Sequence, residues 1–302
     1  MKPDDSTLAV VDLIAIEKRA KLLLDKADAW DRFPIPIDDI LAAANVQVAS
    51  HSVFDPAHLI SYLAGKAATT VTNIKAAISK VWGLYDAADG LIHVDGTVVE
   101  ARQTFLKLHE TGHHDIPTHK RLFRFFQDCE KTLAPEIADQ FEREANNFAR
   151  FALFKGDSFM RHAADHAFEI RTPMKLAKKF GASVYASARE FARTNPRACA
   201  VCILEPVEFV PGDGFRAAVR RIEPSAKFRT QFGVFTDTVI TPSHPLGSLV
   251  PVGRKMTKPT TFIMTDRNGD AHECIGEAFD TTYNILILIY PVKALATSTL
   301  IP

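Results

Sequence analysis

The chain has no excess charge of either sign, no apolar run long enough to cross a bilayer, and few cysteines. Lys and Arg number 36, and so do Asp and Glu. That balance removes the electrostatic ground for nucleic acid or an anionic membrane as the main partner. The most apolar stretch, YNILILIYPV at 283–292, falls far short of the ~20 residues a bilayer requires and reads as a buried strand. The N-terminal MKPDDSTLAVVDLIAIEK is acidic early and carries no long apolar segment, so no secretory signal is expected. The expected compartment is the cytoplasm, where the 4 cysteines stay reduced. Cys199 and Cys202 form a C-x-x-C, but no second pair exists to complete a four-cysteine metal site. Their context, ACAVCIL, reads as a strand that points the two sulfurs to opposite faces, so buried structural thiols are expected.

What the chain does contain is ample material for a core. It is 47% hydrophobic and 24% charged over 302 residues, a length that suggests two domains. Three textures divide it, and together they predict an α+β fold. Residues 1–157 mix helical patterns with a few strands. VWGLYDAADGLIHVD at 81–95 reads as two short strands about an Ala-Asp-Gly turn. Thr97-Val98-Val99-Glu100 then has the capping-box pattern. Val98, Ala101, Phe105, Leu108 and Gly112 follow helical spacing, and Pro117 marks the end. A second helix opens at Pro135-Glu136 and runs through Phe151, with Ile137, Phe141, Ala145, Phe148 and Ala152 on one face. Residues 158–196 are basic and helical. Thr172-Pro173 starts one helix, Gly181 breaks it and Ser183 caps another, the outline of a helix-turn-helix. A plain helical hairpin has the same outline, so direct DNA binding is not the expected role. Residues 197–302 are strand-like in CAVCILEPVEFV, TTFIMTDRNGDAHECIG and NILILIYPV, with Asp266-Arg267-Asn268-Gly269 as a hairpin turn. They predict a separate β-rich or α+β domain.

Residues 109–119 read HETGHHDIPTH. Residues four apart on a helix share a face, so His109 and His113 can present two imidazoles to one metal ion. Glu110 points about a quarter turn away, where it can take a proton from an activated water instead of ligating. A catalytic zinc site needs a third protein ligand. His119 stands where the pattern H-E-x-x-H-x-x-G-x-x-H has its third histidine. Ile116 occupies the glycine position of that pattern. A β-branched residue is a poor occupant of positive φ, and Pro117 holds it extended. The second helix offers another donor. In QFEREANNFARFAL, Glu142 and Asn146 share a face beside Ala145 and Ala149, whose small side chains let helices approach closely. Glu142 can ligate, and Asn146 can accept the remaining ring N–H of a ligand histidine. Glu144 lies about 160° around the helix and reads as solvent-exposed. Spacing alone leaves Glu142 between a ligand and a solvated charge.

The pair FLKLHETGHH and EREANNFA resembles the ImmA/IrrE metallopeptidases. Their pattern is an apolar helix ending in H-E-x-G-H, then a helix carrying E-x-x-A-N-x-F-A. Gly112 matches the glycine of the first block, and Ala145-Asn146-Asn147-Phe148-Ala149 matches the second. FPIPIDDILAAANVQV at 33–48 is similar to the family's entry segment, and the likeness covers about 30–155. The resemblance implies a zincin-like metallopeptidase domain, Zn2+ held by His109, His113 and Glu142, and Glu110 as base. It implies as substrate a helix-turn-helix repressor protein, cleaved to induce stress or mobile-element genes. The middle helices and a sensor-like C-terminal domain match the longer IrrE-type members more loosely. Lys107 departs from the small residue common at its position, YLAGKAATTVTNIKAAIS at 62–79 does not fit the usual strand pair, and RFALFKG follows the second block. These departures bear on substrate choice more than on the metal. A transition-state donor is expected among His114, His119, Tyr85 and Arg150. The strand at 91–94 can pair with an extended substrate. The competing class is a non-hydrolytic DNA- or partner-binding regulator with a structural zinc.

Overall fold

A computed structural model describes residues 6–52, 54–55, 83–87, 89–119, 135–212 and 214–295. The segment 62–79 and Cys129 lie outside the described residues. The chain is a mixed α+β protein of two compact units: Met1–Ser158 with Lys179–Ala182, and Phe159–Lys178 with Ser183–Pro302. The basic helical segment 158–196 is therefore not a piece by itself. All but four of its residues beyond Ser158 group with the C-terminal strands. No helix among the described residues is long and apolar enough to cross a membrane.

The first unit holds helices α1 (Val10–Lys26), α2 (Ile37–Ala44), α3 (Glu100–Asp115) and α4 (Pro135–Phe154). Its sheet has the order β1-β3-β2, from Gln47–Val48, Leu91–Val94 and Gly83–Asp86. β2 and β3 are the antiparallel pair read from the sequence, with Gly90 at φ 67 in the turn between them. β1 pairs with β3 in parallel. Both edges of β3 are thus in use along Leu91 and Ile92, which leaves no room there for an added substrate strand. α1 packs on α4 and α2, while α3 packs on α4 and on both β2 and β3. Leu23, Leu24, Ile40, Leu108, Phe148 and Leu153 fill the space among them.

Two local expectations for α3 divide. Its end is as read: Ile116 caps it with φ -74 and ψ 117, the extended state that a residue before proline prefers. Its start is not. Val99 is the N-cap without a side-chain hydrogen bond, and Thr97 turns back to Asp95, with its hydroxyl 2.7 Å and its N–H 2.9 Å from the carboxylate. A carboxylate two residues upstream outcompetes the helix for Thr97, so the capping box does not form. At the end of α4, Lys155 adopts φ 55 and buries its ammonium against the carbonyls of Ala29, Trp30 and Arg32. That clamp fixes the chain between α1 and α2 to the helix that carries Glu142.

The second unit is built on a seven-stranded sheet of order β5-β6-β4-β10-β9-β8, with β7 also paired to β6. The strands are β4 (Ala200–Leu204), β5 (Glu208–Val210), β6 (Gly214–Pro224), β7 (Val239–Ile240), β8 (Thr260–Thr265), β9 (Ala271–Asp280) and β10 (Ile285–Pro291). All pairings are antiparallel. β4 and β10 are buried along their whole length, as continuous apolar runs must be. Ala200, Cys202 and Leu204 face one core with Phe228, Ile240 and Leu249. Cys199 turns the other way, with its sulfur 3.9 Å from the Ala192 carbonyl. The two thiols diverge, and burial pushes both up to about 12, so neither is a ready thiolate.

The described α-helices after Phe154 are α5 (Ser158–Ala164), α6 (Arg171–Phe180), α7 (Val184–Thr194) and α8 (Ala226–Phe232). Ser183 caps α7 by accepting from the Ala186 N–H at 3.1 Å, as its position in the sequence predicts. α7 packs on β4 and β6 and buries Ser187 through Ala192. Arg189 and Arg193 both bind Glu223 of β6. The helix that would read DNA in a helix-turn-helix spends this face and these two arginines inside its own unit.

Candidate metal centre

Three side chains from two helices meet in the first unit. His109 and His113 stand one turn apart on α3, and Glu142 comes from α4. The two Nε2 atoms are 3.2 Å apart. Glu142 places Oε2 at 3.2 Å from His109 Nε2 and Oε1 at 3.4 Å from His113 Nε2. Four ligands at the ~2.0–2.1 Å bond lengths of zinc would stand ~3.3–3.4 Å apart at tetrahedral angles. The separation of the two Nε2 atoms is close to that size, and each of them has one oxygen of Glu142 at a similar distance.

Hydrogen bonding on the outer side explains why both Nε2 atoms face inward. His109 Nδ1 lies 3.1 Å from Asn146 Oδ1, an acceptor, so this nitrogen carries the ring proton. His113 Nδ1 lies 3.1 Å from His119 Nδ1, and His119 Nε2 lies 2.8 Å from Glu144 Oε2. With His109 protonated at Nδ1, its Nε2 lone pair faces His113 Nε2 and the Glu142 carboxylate, a place that a proton on His113 Nε2 or a metal ion would fill. The titration directions carry the same message. Burial pulls His109 down, but Glu142 and Glu110 outweigh it and leave its pKa above the ordinary value. Burial lowers His113 to about 4 despite the pull of Glu142. Burial alone would raise Glu142, yet its contacts with the two histidines hold it well below the ordinary carboxylate range. These three residues could hold a metal ion.

Glu110 is buried on the next face of α3, against β2. Burial raises it to about 7, with the nearby His109 charge opposing and Glu142 adding to the rise, while the Tyr85 N–H donates to it. The strand comes so close that a Cβ on Gly83 would stand 2.7 Å from Glu110 Oε1. Gly83 is a position beside the candidate site that the sequence reading does not single out. A lone glycine at the start of a strand is the signal for such a close backbone approach.

The four donor candidates fall in different places. Tyr85 and His114 bond each other, with the hydroxyl 2.5 Å from Nδ1. Arg150 lays its guanidinium over the Phe151 ring at 4.1 Å. His119 is fully buried, stacked on Phe141 at 3.9 Å, and has both nitrogens engaged. It sits behind His113 and is not among the three residues whose ligand atoms come together. Glu144 corrects the sequence reading as well. It is 8% exposed, with Gln140 donating to its other oxygen at 2.8 Å. Extended Ile116 sends the chain into a new helical turn at 117–119, and that turn carries His119 back to meet Glu144.

Close packing of α3 and α4 assembles the triad, and Gly112 permits it. A Cβ at Gly112 would stand 3.2 Å from Phe148 Cβ and 3.3 Å from Ala145 Cα. Gly112→Val is expected to lower stability by about 1–3 kcal/mol through overpacking and to spread the cluster. A reduced Tm together with lost metal uptake is the expected measurement; an unchanged Tm and full uptake would contradict it.

Comparison with known proteins yields the fold but not a family. No protein-family model matches the chain, and no curated protein matches it. The fold is similar to that of a Mycobacterium tuberculosis transcriptional regulator. The TM-score is 0.53, the identity 11%, and the match covers 95% of this chain and 93% of that one.

Proposed function

We propose that this protein is a zinc-dependent endopeptidase of the ImmA/IrrE type that cleaves a helix-turn-helix repressor protein. The observation that carries the reading is the inward-facing His109–His113–Glu142 triangle with a buried carboxylate, Glu110, beside it. Three protein ligands leave a fourth tetrahedral place for chemistry, whereas structural zinc sites are closed by four. Zinc in such a site supplies Lewis acidity, polarising a carbonyl and making water more acidic. Glu110, with a pKa near neutrality, is suited to take a proton from water and pass it to the leaving amine nitrogen. Tyr85 donates its N–H to that carboxylate and, with Gly83, fixes its direction. Asn146 holds the ring of His109. Two motif blocks, FLKLHETGHH and EREANNFA, support the family assignment, and the substrate class comes with that resemblance.

The test is Glu110→Gln, co-expressed with a helix-turn-helix repressor encoded beside this protein. The variant is expected to fold and keep its zinc while cleavage of the repressor disappears. Cleavage at the wild-type rate would sink the peptidase reading. A second reading, a non-hydrolytic regulator with structural zinc, is favoured by one observation: the structurally similar mycobacterial protein is called a transcriptional regulator. That reading expects gene regulation to persist unchanged in Glu110→Gln.

A further inference from the structure

The two ligand histidines are held from behind in unequal ways. His109 leans on a neutral amide, Asn146. His113 leans on another imidazole, which leans on a carboxylate. Along that second path the distances are 3.1 Å from His113 Nδ1 to His119 Nδ1 and 2.8 Å from His119 Nε2 to Glu144 Oε2. His119 is 0% exposed and Glu144 8%. The His119 ring is clamped by stacking on Phe141, with an interplanar angle of 22°. Gln140 fixes the far oxygen of Glu144. A buried carboxylate and a fully buried imidazole are costly to place in an interior unless something repays them.

We propose that His119 and Glu144 are positioning residues for the metal, acting as an anionic brace on His113. The proposal rests on the metal-site reading above. The proton bookkeeping follows from that reading. A ligand role for His113 Nε2 leaves its proton on Nδ1, which donates to His119 Nδ1. His119 then carries its own proton on Nε2 and donates to Glu144. Each donor has one acceptor, and the chain ends on a charge. Such a chain locks the His113 tautomer, fixes the ring plane, and makes Nε2 a stronger electron donor than an unbraced imidazole. His113 is thereby the stronger ligand of the pair, and His109 the weaker.

The test uses the full-length protein and zinc alone, with affinity measured by competition against a chromophoric chelator. Glu144→Gln keeps shape and removes the charge; it is expected to weaken zinc about tenfold. His119→Phe keeps the stacking and removes the bridge; it is expected to weaken zinc by about 10–100-fold. His119→Gln restores an acceptor and a donor, and should recover affinity to within a few-fold of wild type. Cobalt substitution supplies a spectroscopic readout. Glu144→Gln should shift the visible absorption band while a four-coordinate intensity is kept, because the donor strength of His113 changes. A merely structural role would lower Tm but leave the cobalt band and the order of affinities unmoved. If His119→Phe fails to fold, Glu144→Gln decides. Affinities within twofold of wild type in Glu144→Gln, with an unmoved cobalt band, overturn the brace. If wild type itself takes up no zinc, the metal-site reading falls instead.

Discussion

Glu142→Ala is expected to take up no zinc at concentrations that saturate the wild-type protein. Of the three residues that could hold the metal it is the one carboxylate, and the one that comes from α4. Without it, two neutral imidazoles on a single helix remain, too few for a stable site. The side chain is 44% exposed, so its removal leaves no large cavity and the metal-free fold should survive. The readout is metal-linked stability. A ligand present at a thousandfold excess over its Kd stabilises the folded state by ~4 kcal/mol. For a unit of this size that is on the order of 10 °C in Tm. Wild type should gain this shift on adding zinc and lose it to a chelator. Melting curves of Glu142→Ala with and without zinc should superimpose. An undiminished zinc shift in the variant would show that the ligand is elsewhere.

The second large effect belongs to the other unit. Glu223→Gln is expected to destabilise it by about 3–5 kcal/mol at neutral pH, the scale for breaking a buried ion pair from one side. Arg189 Nε lies 3.0 Å from Oε2 of Glu223, and Arg193 donates to the same oxygen at 2.7 Å. Both arginines would be left facing a neutral amide. Burial alone would raise the Glu223 pKa, but Arg193 and Arg189 hold it below its ordinary value. A depressed carboxylate stabilises above the unfolded-state value of 4.5, and that contribution is lost as pH falls through the folded value. Wild type and variant should therefore differ most at pH 7 and converge in acid as pH falls through the depressed folded value. Urea unfolding at neutral and at acid pH checks this. Equal midpoints at pH 7 would mean the pair contributes nothing.

Local rules made much of the candidate site legible. Helical spacing alone puts His109 with His113, and Glu142 with Asn146. It also places Gly112 and Ala145 where helices can close. The rest depended on how the chain returns. Ile116-Pro117 is readable as a helix stop, but the direction taken afterwards is a tertiary fact. That direction turns His119 and Glu144 from surface residues into a buried pair. Helical spacing points Glu144 away from Glu142, which is valid within the helix but takes no account of a neighbour arriving from 117–119. The failed capping box has a nearer cause, since Asp95 offers Thr97 a better partner. β6 escaped the strand pattern because Arg216, Arg220 and Arg221 interrupt its apolar positions. One of its charged side chains, Glu223, turned out to be the anchor of α7.

Lys179–Ala182 belongs to the first unit although the chain on both sides of it belongs to the second. Phe180 stands edge-on to Phe33 at 4.9 Å and 6.1 Å from Phe154, while Gly181 lies against Pro34. The boundary between the units is therefore not a point on the chain. No single proteolytic cut or stop codon separates them cleanly. A fragment ending at Ser158 would keep His109, His113 and Glu142 yet strip two aromatic rings, Phe33 and Phe154, of their shared neighbour.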